Sequence, residues 1–190
     1  MVKILAFAGS GRKDSVNKKV VAIAAKGAQE AGAEGTIVNL EDFDMPLFNE
    51  DLEAEQGMPV AAQAFKELLI NHDGFLISSP EYNSSYSGLF KNAIDWASRK
   101  TGDEAPMAAY RGKVAAIMAA SPGGLGGMRV LVVLRMLMEN LGTMVLPNQK
   151  AVSGAFSMFD GDGNISDEKT EKALKALGKE LVDTLTKLKG

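Results

Sequence analysis

The stretch Val2-Lys3-Ile4-Leu5-Ala6-Phe7-Ala8-Gly9-Ser10-Gly11-Arg12-Lys13-Asp14-Ser15-Val16-Asn17 carries two different periodicities on either side of a glycine turn. Residues 2–8 form a short, almost wholly apolar run, the pattern of a strand buried on both faces. Gly9 and Gly11 punctuate it. From Ser15 onward Val16, Val20, Ile23, Ala24, Gly27 and Ala31 recur at helical spacing, with Lys18, Lys19, Lys26 and Glu30 on or near the opposite face, until Gly32 supplies a stop. A buried strand running through a glycine turn into an amphipathic helix is the opening of a βαβ unit.

The same alternation continues along the chain. Residues 36–40, 75–79 and 113–120 read as further strands, and 143–146 with 151–152 as a fifth strand interrupted by Pro147. Helical patterns occupy 60–71, 89–99 and 128–141, and a closing amphipathic helix over 169–187 carries Leu174, Leu177, Leu181, Leu185 and Leu188. Residues 41–59 read as an acidic, Pro- and Gly-bearing connection. Strand–helix alternation predicts an α/β protein with a doubly wound parallel sheet of five strands and helices on both faces. At 190 residues the chain is too short for a closed eight-stranded barrel and suits a single domain over 1–190.

Composition removes several function classes. With no Cys there is no thiolate metal site or cysteine nucleophile, and with His72 as the one His there is no histidine metal cluster, so no metal is expected. Lys and Arg number 21 against 24 for Asp and Glu, a net charge of −3 that argues against a nucleic-acid or anionic-membrane binder. No apolar run approaches the roughly 20 residues of a membrane span, and residues 1–8 lack a signal peptide's long apolar stretch, so a cytoplasmic location is expected.

In an open parallel sheet, ligands bind beyond the carboxyl ends of the strands, where strand order reverses. Three segments fall there. Residues 9–17 offer hydroxyls, a guanidinium and a helix start, whose unpaired amides and positive dipole end suit a phosphate. Neither the dinucleotide fingerprint nor the P-loop pattern is met, since Asp14 stands in the third glycine's place. The segment Ser78-Ser79-Pro80-Glu81-Tyr82-Asn83-Ser84-Ser85-Tyr86-Ser87-Gly88 is long and polar for a turn, and a planar ligand can stack near Tyr82 and Tyr86 while Asn83 reads its edge. Ser121-Pro122-Gly123-Gly124-Leu125-Gly126-Gly127 lets backbone approach a ligand closely. Plainer readings stand beside these: Ser15 as an N-cap, Arg12 as a solvated residue, the aromatic loop as an ordinary exposed one, the glycines as a linker.

Residues 9–17 resemble the G-S-x-R-x-x-S-x-N phosphate loop of the NAD(P)H-dependent FMN reductases, and residues 80–96 resemble their P-E-Y-N-x-S-x-P-G-x-L-K-N-A-I-D-W segment. That family includes bacterial quinone and chromate reductases and azoreductase-like enzymes. The resemblance implies a flavodoxin-like sheet of order 2-1-3-4-5 with FMN at the switch point. It places the FMN phosphate on Ser10, Arg12, Ser15 and Asn17, with Val16 in the same loop. Pro80, Glu81, Tyr82 and Asn83 line the isoalloxazine chiefly through backbone, and Ser121, Gly123 and Gly124 close the other side. It implies NADPH, or NADH, as co-substrate and a ping-pong transfer to a small-molecule acceptor: a quinone, azo compound, metal oxyanion or free flavin. No catalytic side chain is required, because the flavin carries the chemistry. Two positions depart from the pattern: Ser87 replaces Pro, which is expected to loosen the loop, and Phe90 replaces Leu.

The rival reading is a non-catalytic flavodoxin-type electron carrier, which docks through a strongly acidic surface that −3 hardly provides. A flavin-free regulatory or scaffold domain is a third. Arg12, Lys91 and Arg99 are candidate cations for a 2′-phosphate, and apolar surface on the 89–99 and 128–141 helices suggests a homodimer or homotetramer. His72 reads as a surface or helix-end residue, Trp96 as a packing anchor, and Met128, Met136, Met138 and Met144 as core or interface filler. The Asp160–Asn164 run fails as a calcium loop in both registers tested and reads as an acidic turn before a helix capped by Ser166 or Asp167.

Overall fold

The computed structural model describes residues 1–160 and 164–190. Along the chain run β1 (Lys3–Ala8), α1 (Val16–Glu30), β2 (Glu34–Asn39), α2 (Glu50–Gln56), α3 (Val60–Asn71), β3 (Gly74–Ser79), α4 (Gly88–Ser98), β4 (Val114–Ala120), α5 (Met128–Asn140), β5 (Met144–Val145), β6 (Lys150–Val152) and α6 (Glu168–Lys189). All strand pairs are parallel and the order is β2-β1-β3-β4-β5, with β6 also on β4. This is the flavodoxin-like sheet with helices on both faces. The fifth strand is split, as Pro147 requires. β5 pairs with the start of β4 and β6 with its end.

β3 and β4 are buried at every position, which is why their sequences are apolar or small without alternation. Edge strand β2 is half exposed. One core layer joins the sheet to α1 and α6 through residues such as Val20, Leu76, Met118 and Leu181. The other joins it to α3, α4 and α5 through Phe7, Phe65, Phe90, Ile117 and Leu134. α1 and α6 approach until their backbones nearly touch. A Cβ on Gly27 would lie 2.2 Å from the Lys175 carbonyl oxygen, and one on Gly178 would lie 2.0 Å from that of Ala24.

Some expectations need correction. The 41–59 connection contains a helix, α2, which buries no side chain and so has no apolar period to announce it. Asn49 caps it, accepting from the Asp51 N–H at 2.7 Å, and Arg99 holds it through Glu53 at 2.8 Å. His72 is not on the surface: it is 7% exposed at the C-cap of α3, its Nδ1 2.6 Å from the Leu68 carbonyl and its Nε2 3.0 Å from Thr36 Oγ1. Leu188 lies exposed beyond the buried stripe of α6. Trp96 is fully buried and donates from Nε1 to the Pro46 carbonyl at 2.8 Å, as an anchor should. Among the methionines, Met138 is core while Met128, Met136 and Met144 are exposed. Gly161, Asp162 and Gly163 of the run tested for calcium lie outside the described residues; α6 is capped by Asp167, whose carboxylate accepts from the Thr170 N–H at 3.1 Å.

Candidate functional site

β1, β3 and β4 end side by side, and the loops that follow them, with the turn after β6, enclose a cleft of about 90 Å³. Ser10, Arg12, Ser15, Val16 and Asn17 form one wall, Pro80, Glu81 and Tyr82 a second, and Ala120, Ser121 and Pro122 the floor with Phe156 opposite. Nine of the residues singled out from sequence therefore meet here. Asn83, Gly123 and Gly124 do not line it. A larger hollow of about 500 Å³ lies on the outer face of α1 beside Lys19 and Glu171. No strand end feeds that hollow, whereas three feed the cleft.

The first wall is set by β1 turning into α1. Ser15 occupies the N-cap with extended backbone, yet its hydroxyl makes no capping bond, and the Val16 and Asn17 amides have no acceptor among the described residues. Ser10 is buried, its hydroxyl 3.4 Å from the Arg12 N–H as acceptor. These donors, with the Arg12 guanidinium, make a set suited to a phosphate dianion. Arg12 meanwhile stands 5.7 Å from the ring centroid of Phe156. Phe156 escaped the sequence reading, since it follows the last strand by four residues and reaches the cleft only because β6 pairs with β4.

Asn17 is not a free amide. Its Nδ2 donates to the Ala120 carbonyl at 3.0 Å, and its Oδ1 accepts from the Ala120 N–H at 2.9 Å and the Ser78 hydroxyl at 2.8 Å. The side chain ties α1 to two strands, leaving its backbone N–H as the group free to meet a ligand. The second wall is equally tied. Tyr82 and Ser85 exchange backbone bonds of 2.8 and 3.0 Å around Asn83 and Ser84, both at positive φ (52° and 67°), so the loop tip is a tight two-residue turn. The Glu81 carboxylate accepts from the Arg129 and Val130 N–H groups at 3.1 and 3.3 Å, filling the N-terminus of α5. Its side chain thus ties the loop after β3 to the start of α5.

Ser87 overturns the expected loosening. Its buried hydroxyl accepts from the Phe90 N–H at 3.1 Å and donates to the Gly9 carbonyl, so it both caps α4 and fastens the loop. Tyr86 packs on Phe90, with centroids 5.7 Å apart, and is not part of the cleft; Tyr82 is half exposed beside it. Lys91 is engaged by Asp95 at 2.6 Å and Arg99 by Glu53 at 2.8 Å. Of the three candidate cations for a 2′-phosphate, Arg12 alone lines the cleft. Gly124 has nothing within 4 Å of the place a Cβ would occupy, and Gly123 has only the Ser121 hydroxyl at 3.8 Å. Packing requires neither glycine.

The chain resembles known proteins over nearly its whole length. The family model described as NADPH-dependent FMN reductase matches residues 2–157. An NAD(P)H:quinone oxidoreductase of Solanum tuberosum is 34% identical over 193 residues, covering 100% of this chain and 96% of its own. An NAD(P)H-dependent FMN reductase of Pseudomonas aeruginosa is 35% identical over 179 residues, covering 92% and 90%. Among solved structures, the flavoenzyme NAD(P)H:(acceptor) oxidoreductase FerB of Paracoccus denitrificans superposes with a TM-score of 0.81 at 32% identity, covering 98% of both chains. The chain belongs to the NADPH-dependent FMN reductase family, with FMN as its cofactor and NAD(P)H as its electron donor.

Proposed function

We propose that this chain is a quinone reductase that works in two half-reactions at one open face, NADPH entering first and a quinone second. FMN, when bound, supplies the hydride-accepting and hydride-donating chemistry. The chain supplies grip and orientation. The amides of Val16 and Asn17, the hydroxyls of Ser10 and Ser15 and the guanidinium of Arg12 hold the phosphate. Pro80, Glu81 and Tyr82 would line one side of the ring and Ser121 the other, with Asn83, Gly123 and Gly124 meeting only a part of it that extends beyond the cleft. The carrying observation is the start of α1, where an N-cap hydroxyl makes no capping bond and two helix amides lack acceptors among the described residues, beside a buried serine and a cation.

A cleft of about 90 Å³ would leave part of a bound ring outside it, where donor and acceptor could reach it in turn. That supports a broad acceptor range, in which azo compounds, metal oxyanions and free flavin are to be compared with quinones. It also supports a homo-oligomer, because Met128, Val132 and Met136 form an exposed stripe along α5 that starts next to the Glu81–Arg129 pair. No helix among the described residues is long and apolar enough to cross a membrane, which is compatible with a cytoplasmic enzyme. The test is anaerobic mixing of the yellow holoprotein with NADPH and then a quinone. Rapid bleaching followed by restored colour supports the enzyme; colour that persists without a partner reductase points to a carrier.

A further inference from the structure

We infer that Ser87 is a positioning residue for the FMN phosphate, acting through Gly9, an inference that rests on the phosphate placement proposed above. Gly9 is the first residue of the phosphate loop, immediately before Ser10, and its peptide groups are held from two sides. Its N–H donates to the Ser78 carbonyl of β3 at 2.8 Å, and its carbonyl accepts from the Ser87 hydroxyl at the start of α4. Phe90 closes the third side, where a Cβ on Gly9 would meet the Phe90 Cβ at 3.0 Å. Ser87 itself is 4% exposed, so the bond is shielded from water. One hydroxyl thus joins the loop after β1 to the loop after β3 across 78 residues of sequence.

The residue type matters because the position does two jobs. Phe90 needs an acceptor for its N–H, and Gly9 needs a donor for its carbonyl. A hydroxyl is both at once. Proline, which the resembled motif places here, donates nothing and fixes the loop through its ring instead. In this chain the phosphate loop is therefore held by a hydrogen bond rather than by a ring. Ordering that loop before the ligand arrives removes a cost that binding would otherwise carry.

A cap that merely stabilises α4 and a clamp that organises the phosphate loop differ in one readout, the preference for FMN over riboflavin, which lacks the phosphate. Apoprotein is titrated with each flavin by fluorescence quenching for the wild type, Ser87→Ala, Ser87→Gly and Ser87→Thr. Glycine is nearly as good an N-cap as serine, so Ser87→Gly removes the donor with little harm to the helix. The expected result is FMN affinity about tenfold weaker in the Ala and Gly variants, riboflavin affinity unchanged, and recovery in Thr. Equal weakening of both flavins, or no change in either, overturns the inference. Arg12→Ala run alongside separates the two levels. If it too leaves the FMN/riboflavin ratio unchanged, the phosphate placement itself fails. If it lowers the ratio while the Ser87 variants do not, only the role of Ser87 fails.

Discussion

Asn17 and Ala120, 103 residues apart, pair as two peptide groups would: the Asn17 Nδ2 donates to the Ala120 carbonyl at 3.0 Å and the Ala120 N–H donates to the Asn17 Oδ1 at 2.9 Å. The carboxamide stands in for a strand at the place where β4 runs out, and the Ser78 hydroxyl completes its bonding at 2.8 Å. A motif position read from sequence as a ligand contact is thus a fastener that holds the first and third loops in register.

Asn17→Ala leaves the Ser78 hydroxyl and both Ala120 backbone groups buried without partners. The expected loss is roughly 3 kcal/mol of stability, seen as a Tm lower by about 6–12 °C for a chain of this size. An Asn17→Ala apoprotein that melts with the wild type contradicts this role.

The glycines after β4 divide into two kinds. Gly127 has φ +87° and a Cβ there would sit 2.7 Å from the Ala119 Cβ, whereas Gly124 has ordinary φ and open space around it. Gly127→Ala is expected to destabilise the apoprotein by about 1–2 kcal/mol or more. Gly124→Ala is expected to leave apoprotein stability within about 0.5 kcal/mol while weakening flavin binding. Thermal melts and flavin titrations of both variants make the comparison.

Lys66 is 1% exposed and bonds to Glu104, to the Arg99 carbonyl at 2.7 Å and to the Thr101 hydroxyl at 3.0 Å. The hydrogen bond from Lys66 holds the Glu104 carboxyl below its ordinary 4.5, against the opposing effect of burial. A carboxyl lowered on folding contributes stability that is fully present above its unfolded value and is lost as pH falls through the folded one. Melts across about pH 3–7 should therefore show wild type and Glu104→Gln furthest apart near neutrality and converging in acid. A constant gap contradicts the pairing.

The exposed stripe on α5 gives the proposed assembly its test. Val132→Glu with Met136→Glu places charge on residues that are 66% and 56% exposed, so the protomer should fold normally. Sedimentation is expected to show a wild-type oligomer and a monomeric double variant. A wild type that sediments as a monomer removes the proposal.

Legibility in the sequence followed periodicity. The wholly apolar runs of β1, β3 and β4 and the leucine stripe of α6 declared themselves, because burial on two faces or along one stripe leaves a pattern. α2 left none, since a cap and an ion pair hold it and it buries no side chain. The cleft was located by strand ends and glycine turns, but the direction of each side chain was not. Asn17 and Glu81 turn toward backbone groups that β4 and α5 bring close, and Phe156 arrives through a pairing beyond a proline. Such partners lie dozens of residues away, where local pattern carries no information. His72 stands at a helix end as read, but its burial was not legible, because its second contact is Thr36 on a strand 36 residues earlier.

The central claim is that the start of α1 receives the FMN phosphate, and a crystal structure of the reconstituted FMN complex measures it most directly. The account predicts phosphate density within hydrogen-bond reach of the Val16 and Asn17 amides and of the Ser10 and Ser15 hydroxyls, with Arg12 drawn away from Phe156. Phosphate density elsewhere on the molecule, with those amides still facing solvent, would contradict it.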